Sequence, residues 1–132
     1  MIRCKRAYEP AAPEDGQRVL VDRLWPRGIR KEDLQMELWA KEVSPSNELR
    51  QRFHHDPGLF EEFRTAYHRE LNAHPEYWMG LLDLARKGNL TLLYAAKDED
   101  HNNAQVLAEF LEDELEKQGE GSSPVCYAGK TE

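Results

Sequence analysis

The run Val19-Leu20-Val21-Asp22-Arg23-Leu24-Trp25-Pro26-Arg27-Gly28-Ile29-Arg30-Lys31 opens apolar and turns abruptly polar. It places a Trp-Pro and four basic side chains within its last nine residues. Gln17 to Asp22 reads as a strand: it is mostly apolar and partly β-branched, as expected when both faces are covered. Pro26 ends regular structure, because it has no N–H to donate and biases Trp25 toward an extended backbone. Gly28 permits a positive φ in the loop that follows. The whole stretch therefore predicts a strand that feeds a basic loop suited to holding something negative. Just beyond it, Arg30 to Met36 predicts a short helix with Glu32 and Asp33 in its first turn, and Leu38-Trp39 predicts a core anchor.

Two other segments read as strands. Ile2 to Tyr8 alternates apolar and basic residues, the half-buried strand signature. Leu90-Thr91-Leu92-Leu93-Tyr94-Ala95-Ala96 is the most apolar of the three. The loop Glu9-Pro10-Ala11-Ala12-Pro13-Glu14-Asp15-Gly16 has two prolines, an Asp-Gly and no period.

Between the second and third strands the apolar period becomes helical. Ser44 at the N-cap and Pro45 at the first helical position predict a helix to about His54. Asp56-Pro57 starts another, with Leu59, Phe60, Phe63, Tyr67 and Leu71 on one face. His74-Pro75 starts a third, with Tyr77, Trp78, Leu81, Leu82 and Ala85 toward the core, Arg86-Lys87 in the last turn and Gly88 at C′. A final helix runs from about His101 to Lys117, capped by Asp98 or Asp100. A helical crossover between strands implies that they are parallel. The pairing of the first strand stays open between a hairpin and a displaced parallel arrangement. The expected class is α/β: a small, mostly parallel sheet of three to four strands with helices on its faces, in a Rossmann-like three-layer arrangement.

The chain of 132 residues is expected to form a single α/β domain over 1–118, followed by a flexible C-terminal tail over 119–132, within which Pro124 to Ala128 could add a short edge strand. That length buries a core without disulfides or metal. No apolar run is long enough for a membrane span. The basic N-terminus is not followed by an apolar stretch, so no signal peptide is expected. The two cysteines, Cys4 and Cys126, lie near opposite ends, which suits a reducing cytoplasm better than a disulfide framework. Net charge is −7 and uneven: residues 1–55 carry 11 Lys/Arg against 9 Asp/Glu, and residues 56–132 carry 7 against 16. The acidic half would repel a phosphate backbone, which makes nucleic-acid binding an unfavoured reading.

If strands two and three are parallel, their C-terminal ends share one edge of the sheet, where open α/β sheets bind ligands. Two charged loops then converge there. Arg23, Trp25, Arg27 and Arg30 come from one, and Lys97, His101 and Asn102 from the other, beside the amide-rich start of the last helix. These seven are the candidate ligand-binding residues. Asp22 and Asp98 are the candidate acid/base groups should there be turnover. Each feature also has a plain structural reading: Asp22-Arg23 as a brace, Trp25-Pro26 as a core plug, Lys97-Asp98 as a solvated turn. No metal site is expected, because His54-His55-Asp56 and the His68, His74 pair lack ligand spacing. Cys4 should be buried and inert, and there is no Gly-x-Ser-x-Gly elbow or Gly-rich phosphate loop. The cofactor is unknown.

Several motifs together resemble the domain-of-unknown-function 488 family, in its YeaO-like bacterial branch. They are Val21-Asp22-Arg23-Leu24-Trp25-Pro26-Arg27-Gly28; Trp39 with Lys41; Ser44-Pro45-Ser46 with Leu49-Arg50; Phe63 with Tyr67; and Leu92 to Asp98 followed by Asn102-Asn103. The resemblance covers about residues 2–116. It implies a small, soluble, cytoplasmic α/β domain and no established reaction. Broader relatives carry a cysteine in the third strand and a Cys-His-Arg run at the start of the last helix. Here Tyr94 and His101-Asn102-Asn103 stand in those places, so cysteine chemistry does not carry over.

The functional expectation is an uncharacterised protein that binds a small anionic ligand, phosphate- or nucleotide-like, at the C-terminal edge of the sheet. The alternative is a non-catalytic protein-interaction or regulatory module that uses its acidic half and tail. A homo-oligomer is possible and stays open.

Overall fold

The computed structural model describes residues 1–53 and 56–121. Four strands form one sheet: β1 (Ile2–Arg6), β2 (Gln17–Leu20), β3 (Leu38–Trp39) and β4 (Leu90–Tyr94). Their spatial order is β1-β4-β2-β3, and every pairing is parallel. This resolves the first strand: β1 is a displaced parallel partner, with Ile2 opposite Leu90 and Arg6 opposite Tyr94. β2 lies on the other side of β4, with Gln17 opposite Leu90 and Leu20 opposite Leu93. β4 is therefore central, which is why all five of its residues are buried and why it reads as an unbroken apolar run.

Four α-helices follow the crossover logic: α1 (Asn47–Phe53), α2 (Phe60–Ala73), α3 (Met79–Lys87) and α4 (Asn103–Gly121). Their apolar faces join one side of the sheet in a single core. Leu49, Phe60, Tyr67, Leu71, Leu81, Leu82, Val106, Leu107 and Leu111 pack there with Val19, Val21, Leu90 and Leu92. Alternate strand residues point the other way, so Leu20 and Leu93 form a second cluster with Ala7 and Leu34. That third layer is thin. It is the segment after β2, with Trp25, Ile29, Met36 and Trp39 packed against the cluster and only a single 3₁₀ turn at Lys31–Asp33. The helix expected over Arg30 to Met36 is limited to that turn.

Other boundaries differ for identifiable reasons. Leu38-Trp39 is a two-residue strand beside β2; Trp39 turns inward, while Leu38 is 47% exposed and anchors nothing. Ser44 does not cap α1: its hydroxyl donates to Lys41 O (2.6 Å). Ser46 does so, its Oγ accepting from the Leu49 N–H (3.2 Å) and donating to Glu70 Oε2 of α2 (2.5 Å). Asp56 accepts from the Gly58 N–H as expected, but its helix begins as a 3₁₀ turn at Pro57–Leu59 before α2. Pro75–Tyr77 is likewise 3₁₀, and Tyr77 stacks on His74 at 4.7 Å rather than entering the core. Gly88 sits at φ 167, extended backbone and not a left-handed cap. Asn102 caps α4, its Oδ1 accepting from the Gln105 N–H (2.9 Å), so neither Asp98 nor Asp100 holds that place. α4 continues to Gly121, past the expected end at Lys117. The possible edge strand from Pro124 lies outside the described residues.

The glycine that the fold requires is Gly16, at φ 63 in the turn into β2. A Cβ there would stand 2.2 Å from Asn89 O, because the Gln17 N–H donates to that same carbonyl (3.0 Å). Among the described residues no helix is long and apolar enough to cross a membrane.

Candidate functional site

β2 and β4 are adjacent and parallel, so the chain leaves both at the same edge. The first join there is made by Asp22. Its carboxylate accepts from the Ala95 N–H (2.9 Å) and from Asn103 Nδ2 (3.2 Å), while its carbonyl accepts from Trp39 Nε1 (2.8 Å). Asn103 Nδ2 also donates to Val21 O (3.2 Å). One carboxylate thus ties the end of β2 to the exit of β4 and to the first residue of α4.

Above this brace lies a cavity of about 370 Å³. The loop after β2 supplies Asp22, Arg23, Leu24, Trp25, Pro26 and Arg27. The exit of β4 supplies Ala95 and Ala96, and the start of α4 supplies His101, Asn102 and Asn103. α1, α2 and the turn between them add Arg50, Phe53, Asp56, Phe60 and Phe63. The two loops expected to converge do so.

Neutral oxygens hold two of the arginines in place. The Arg23 guanidinium reaches Pro45 O (3.4 Å) and Ser44 O (3.5 Å), and Arg50 Nη1 donates to Asn47 Oδ1 (3.0 Å). Arg27 is exposed, and its carbonyl is fixed by the Tyr8 hydroxyl (2.9 Å). Trp25 is pinned by Nε1 donating to Ile29 O (2.6 Å) and meets Trp39 edge-on at 5.2 Å, so it is both core plug and cavity wall. Bonds to neutral oxygens orient guanidinium groups without cancelling their charge.

The turn into α4 is organised by Asp98. Its Oδ1 accepts from the Asp100 and His101 N–H groups, each at 3.0 Å, and Oδ2 pairs with His101 Nδ1 (3.0 Å). Asn102 Nδ2 donates to Asp98 O (2.9 Å). The backbone hydrogen bond from His101, with those from Asp100 and the His101 ring, holds the Asp98 carboxyl below its usual range. Asp98 is ionised at neutral pH, so it has no proton to donate as a general acid.

Of the nine residues singled out from the sequence, Asp22, Arg23, Trp25, Arg27, His101 and Asn102 line one cavity. Arg30, Lys97 and Asp98 do not. Arg30 turns away to pair with Asp33 (2.9 Å) and Glu32 (3.6 Å), and Lys97 is an exposed turn residue. Sequence reasoning missed Arg50 and the three phenylalanines. At helical spacing Phe60 and Phe63 read as core, and a helix face that lines a cavity carries the same period as one that is packed.

Neither Tyr94 nor Cys4 lines this cavity. Tyr94 is buried among the helices, and burial pushes its phenol up to about 12. Burial, with Glu112 nearby, pushes the Cys4 thiol up to about 12 as well, which fits an inert packing role. Among the described residues no group of three His, Cys, Asp or Glu side chains could hold a metal.

Fold and cavity define a small parallel α/β protein with an arginine-bearing cavity at the strand C-terminal edge. The chain belongs to the family described as the inactive DUF488-N3 subclade, which matches residues 1–128, past Lys117 where the residue-by-residue resemblance stops. It is 51% identical over 110 residues to the uncharacterized protein YeaO of Escherichia coli (strain K12), covering 83% of this chain and 96% of that protein. It is 43% identical over 110 residues to the uncharacterized proteins Mb3100c of Mycobacterium bovis and Rv3073c of Mycobacterium tuberculosis, covering 83% of this chain and 92% of each. No solved structure matches it significantly.

Proposed function

We propose that the protein binds a small anion of phosphate-like chemistry in this cavity and does so without turnover. The observation that carries the reading is the convergence of Arg23, Arg27 and Arg50 on one cavity with the capped start of α4. That helix end contributes the positive pole of its dipole. The carboxylates that line the same cavity already accept hydrogen bonds, Asp22 from Ala95 and Asn103 and Asp56 from Gly58. Binding without chemistry agrees with the word "inactive" in the family's description. It also agrees with the placement of Asp22 as a brace and of Asp98 outside the cavity.

Isothermal titration with inorganic phosphate, and with sulfate, tests the reading. Arg27→Ala should weaken binding by roughly tenfold or more, since a hydrogen bond to a charged group is worth about 1.5–3 kcal/mol. Lys97→Ala should leave it unchanged. Affinity that survives both Arg27→Ala and Arg23→Ala would place the anion elsewhere.

A further inference from the structure

The cavity has a second kind of wall. Phe53, Phe63, Phe60 and His101 form an unbroken chain of ring contacts along it. Phe53 meets Phe63 edge-on at 6.0 Å, Phe63 stacks with Phe60 at 6.0 Å, and Phe60 meets the His101 imidazole edge-on at 5.0 Å. These four come from three elements, α1, α2 and the turn before α4, and all of them line the cavity. Arg23 and Arg27 line it from the loop after β2.

Size and polarity then disagree with a bare oxyanion. A water molecule occupies about 30 Å³ of liquid, and a tetrahedral oxyanion has only a handful of heavy atoms. Neither approaches 370 Å³. Such a ligand would satisfy the arginines and leave the open part of the wall, Phe63 and His101, to water, although burying apolar surface is the larger favourable term in small-molecule sites. Ring walls prefer offset-stacked or edge-on partners, which flat ligands provide.

We infer that the ligand is an organic anion with a flat aromatic body. Its acid group meets Arg23 and Arg27, and its ring lies against the Phe53–Phe63–Phe60–His101 wall. This rests on the anion-binding reading of the same cavity and names the class of anion. Phosphate monoesters and carboxylates share the required chemistry.

The test is titration of the full chain with phenyl phosphate, benzoate, inorganic phosphate, acetate and neutral benzyl alcohol. Phenyl phosphate should bind at least about tenfold tighter than inorganic phosphate, the gain expected when one ring leaves water. Phe63→Leu, at a half-buried position, should remove most of that gain while leaving inorganic phosphate within about twofold, because the arginines are untouched. Benzoate tells whether the acid group is a carboxylate or a phosphate, and either one showing the ring-dependent gain supports the proposal. Equal affinity for phenyl and inorganic phosphate, with benzoate binding no tighter than acetate, would overturn the aromatic class and leave the anion reading standing. Binding of benzyl alcohol as tight as that of phenyl phosphate, or no binding by any of the anions, would overturn both. Should Phe63→Leu fail to fold, saturation-transfer NMR on the unaltered protein replaces it: transfer between ligand ring protons and phenylalanine rings supports the proposal, and its absence overturns it.

Discussion

Asp15 is buried, at 1% exposure, in a stretch whose sequence reads only as a loop. Its carboxylate accepts from Lys5 Nζ (3.0 Å), Arg18 Nη1 (2.5 Å) and the Ala12 N–H (3.0 Å), and its carbonyl accepts from Thr91 Oγ1 of β4 (2.8 Å). One residue thereby ties the starts of β2 and β4 to β1. Burial alone would raise its pKa, but the Ala12 N–H, Lys5 and Arg18 outweigh burial and hold the carboxyl below its ordinary value. A carboxylate with a depressed folded-state pKa contributes fully above its unfolded value of about 3.9 and loses that contribution as pH falls through the folded value. Asp15→Asn should cost about 3 kcal/mol in urea unfolding at pH 7, because it leaves buried cations without their counter-charge. Below about pH 4 the variant should lose stability less steeply than the parent, since the titrating group is gone. A parallel acid limb in the two proteins would show that Asp15 does not carry the pH dependence. None of this was legible beforehand. A buried ion-pair hub announces itself only through partners brought from other strands, and no spacing within Pro13 to Gly16 encodes Lys5 or Thr91.

At the scale of elements, the helical faces and the three longer strands were legible because burial imposes their period directly. The caps were not. Ser44 and Ser46, or Asp98, Asp100 and Asn102, are all suitable side chains, and the local backbone path decides which of them meets the free N–H. β3 was missed because two residues cannot display alternation. The same contrast runs through the candidate site. Its loop residues were legible from charge and Trp-Pro chemistry and from the parallel topology that brings the loops together. Its aromatic wall was hidden inside ordinary helix periodicity. Asn102 shows what a correctly placed cap does: it is 2% exposed, caps α4 through Oδ1 and holds the preceding turn through Nδ2. Asn102→Ala should cost about 2 kcal/mol, roughly one for the cap and one for the second hydrogen bond. It should also speed amide exchange at Asp100 and His101, whose N–H groups bond within that turn. Unchanged exchange there would mean that Asp98 holds the turn without Asn102.

Over the whole molecule, the sheet order places β4, the last strand among the described residues, inside the sheet between β1 and β2. β2 has only the two-residue pairing with β3 before β4 arrives, and β1 has β4 as its sheet neighbour. The sheet is therefore built almost wholly from contacts distant in sequence, which slows folding toward the millisecond-to-second range. In pulsed hydrogen exchange during refolding, the amides of Ile2 to Arg6 should become protected together with those of Leu90 to Tyr94. Earlier protection of β1 would point to a pairing that the native sheet does not contain. The same geometry bears on life at the ribosome. At roughly 5–20 residues per second, Ile2 is synthesised about 4–18 s before Leu90. Through that interval the nascent chain carries the unpaired backbone of β1 and the apolar run Val19-Leu20-Val21, surfaces that holding chaperones bind.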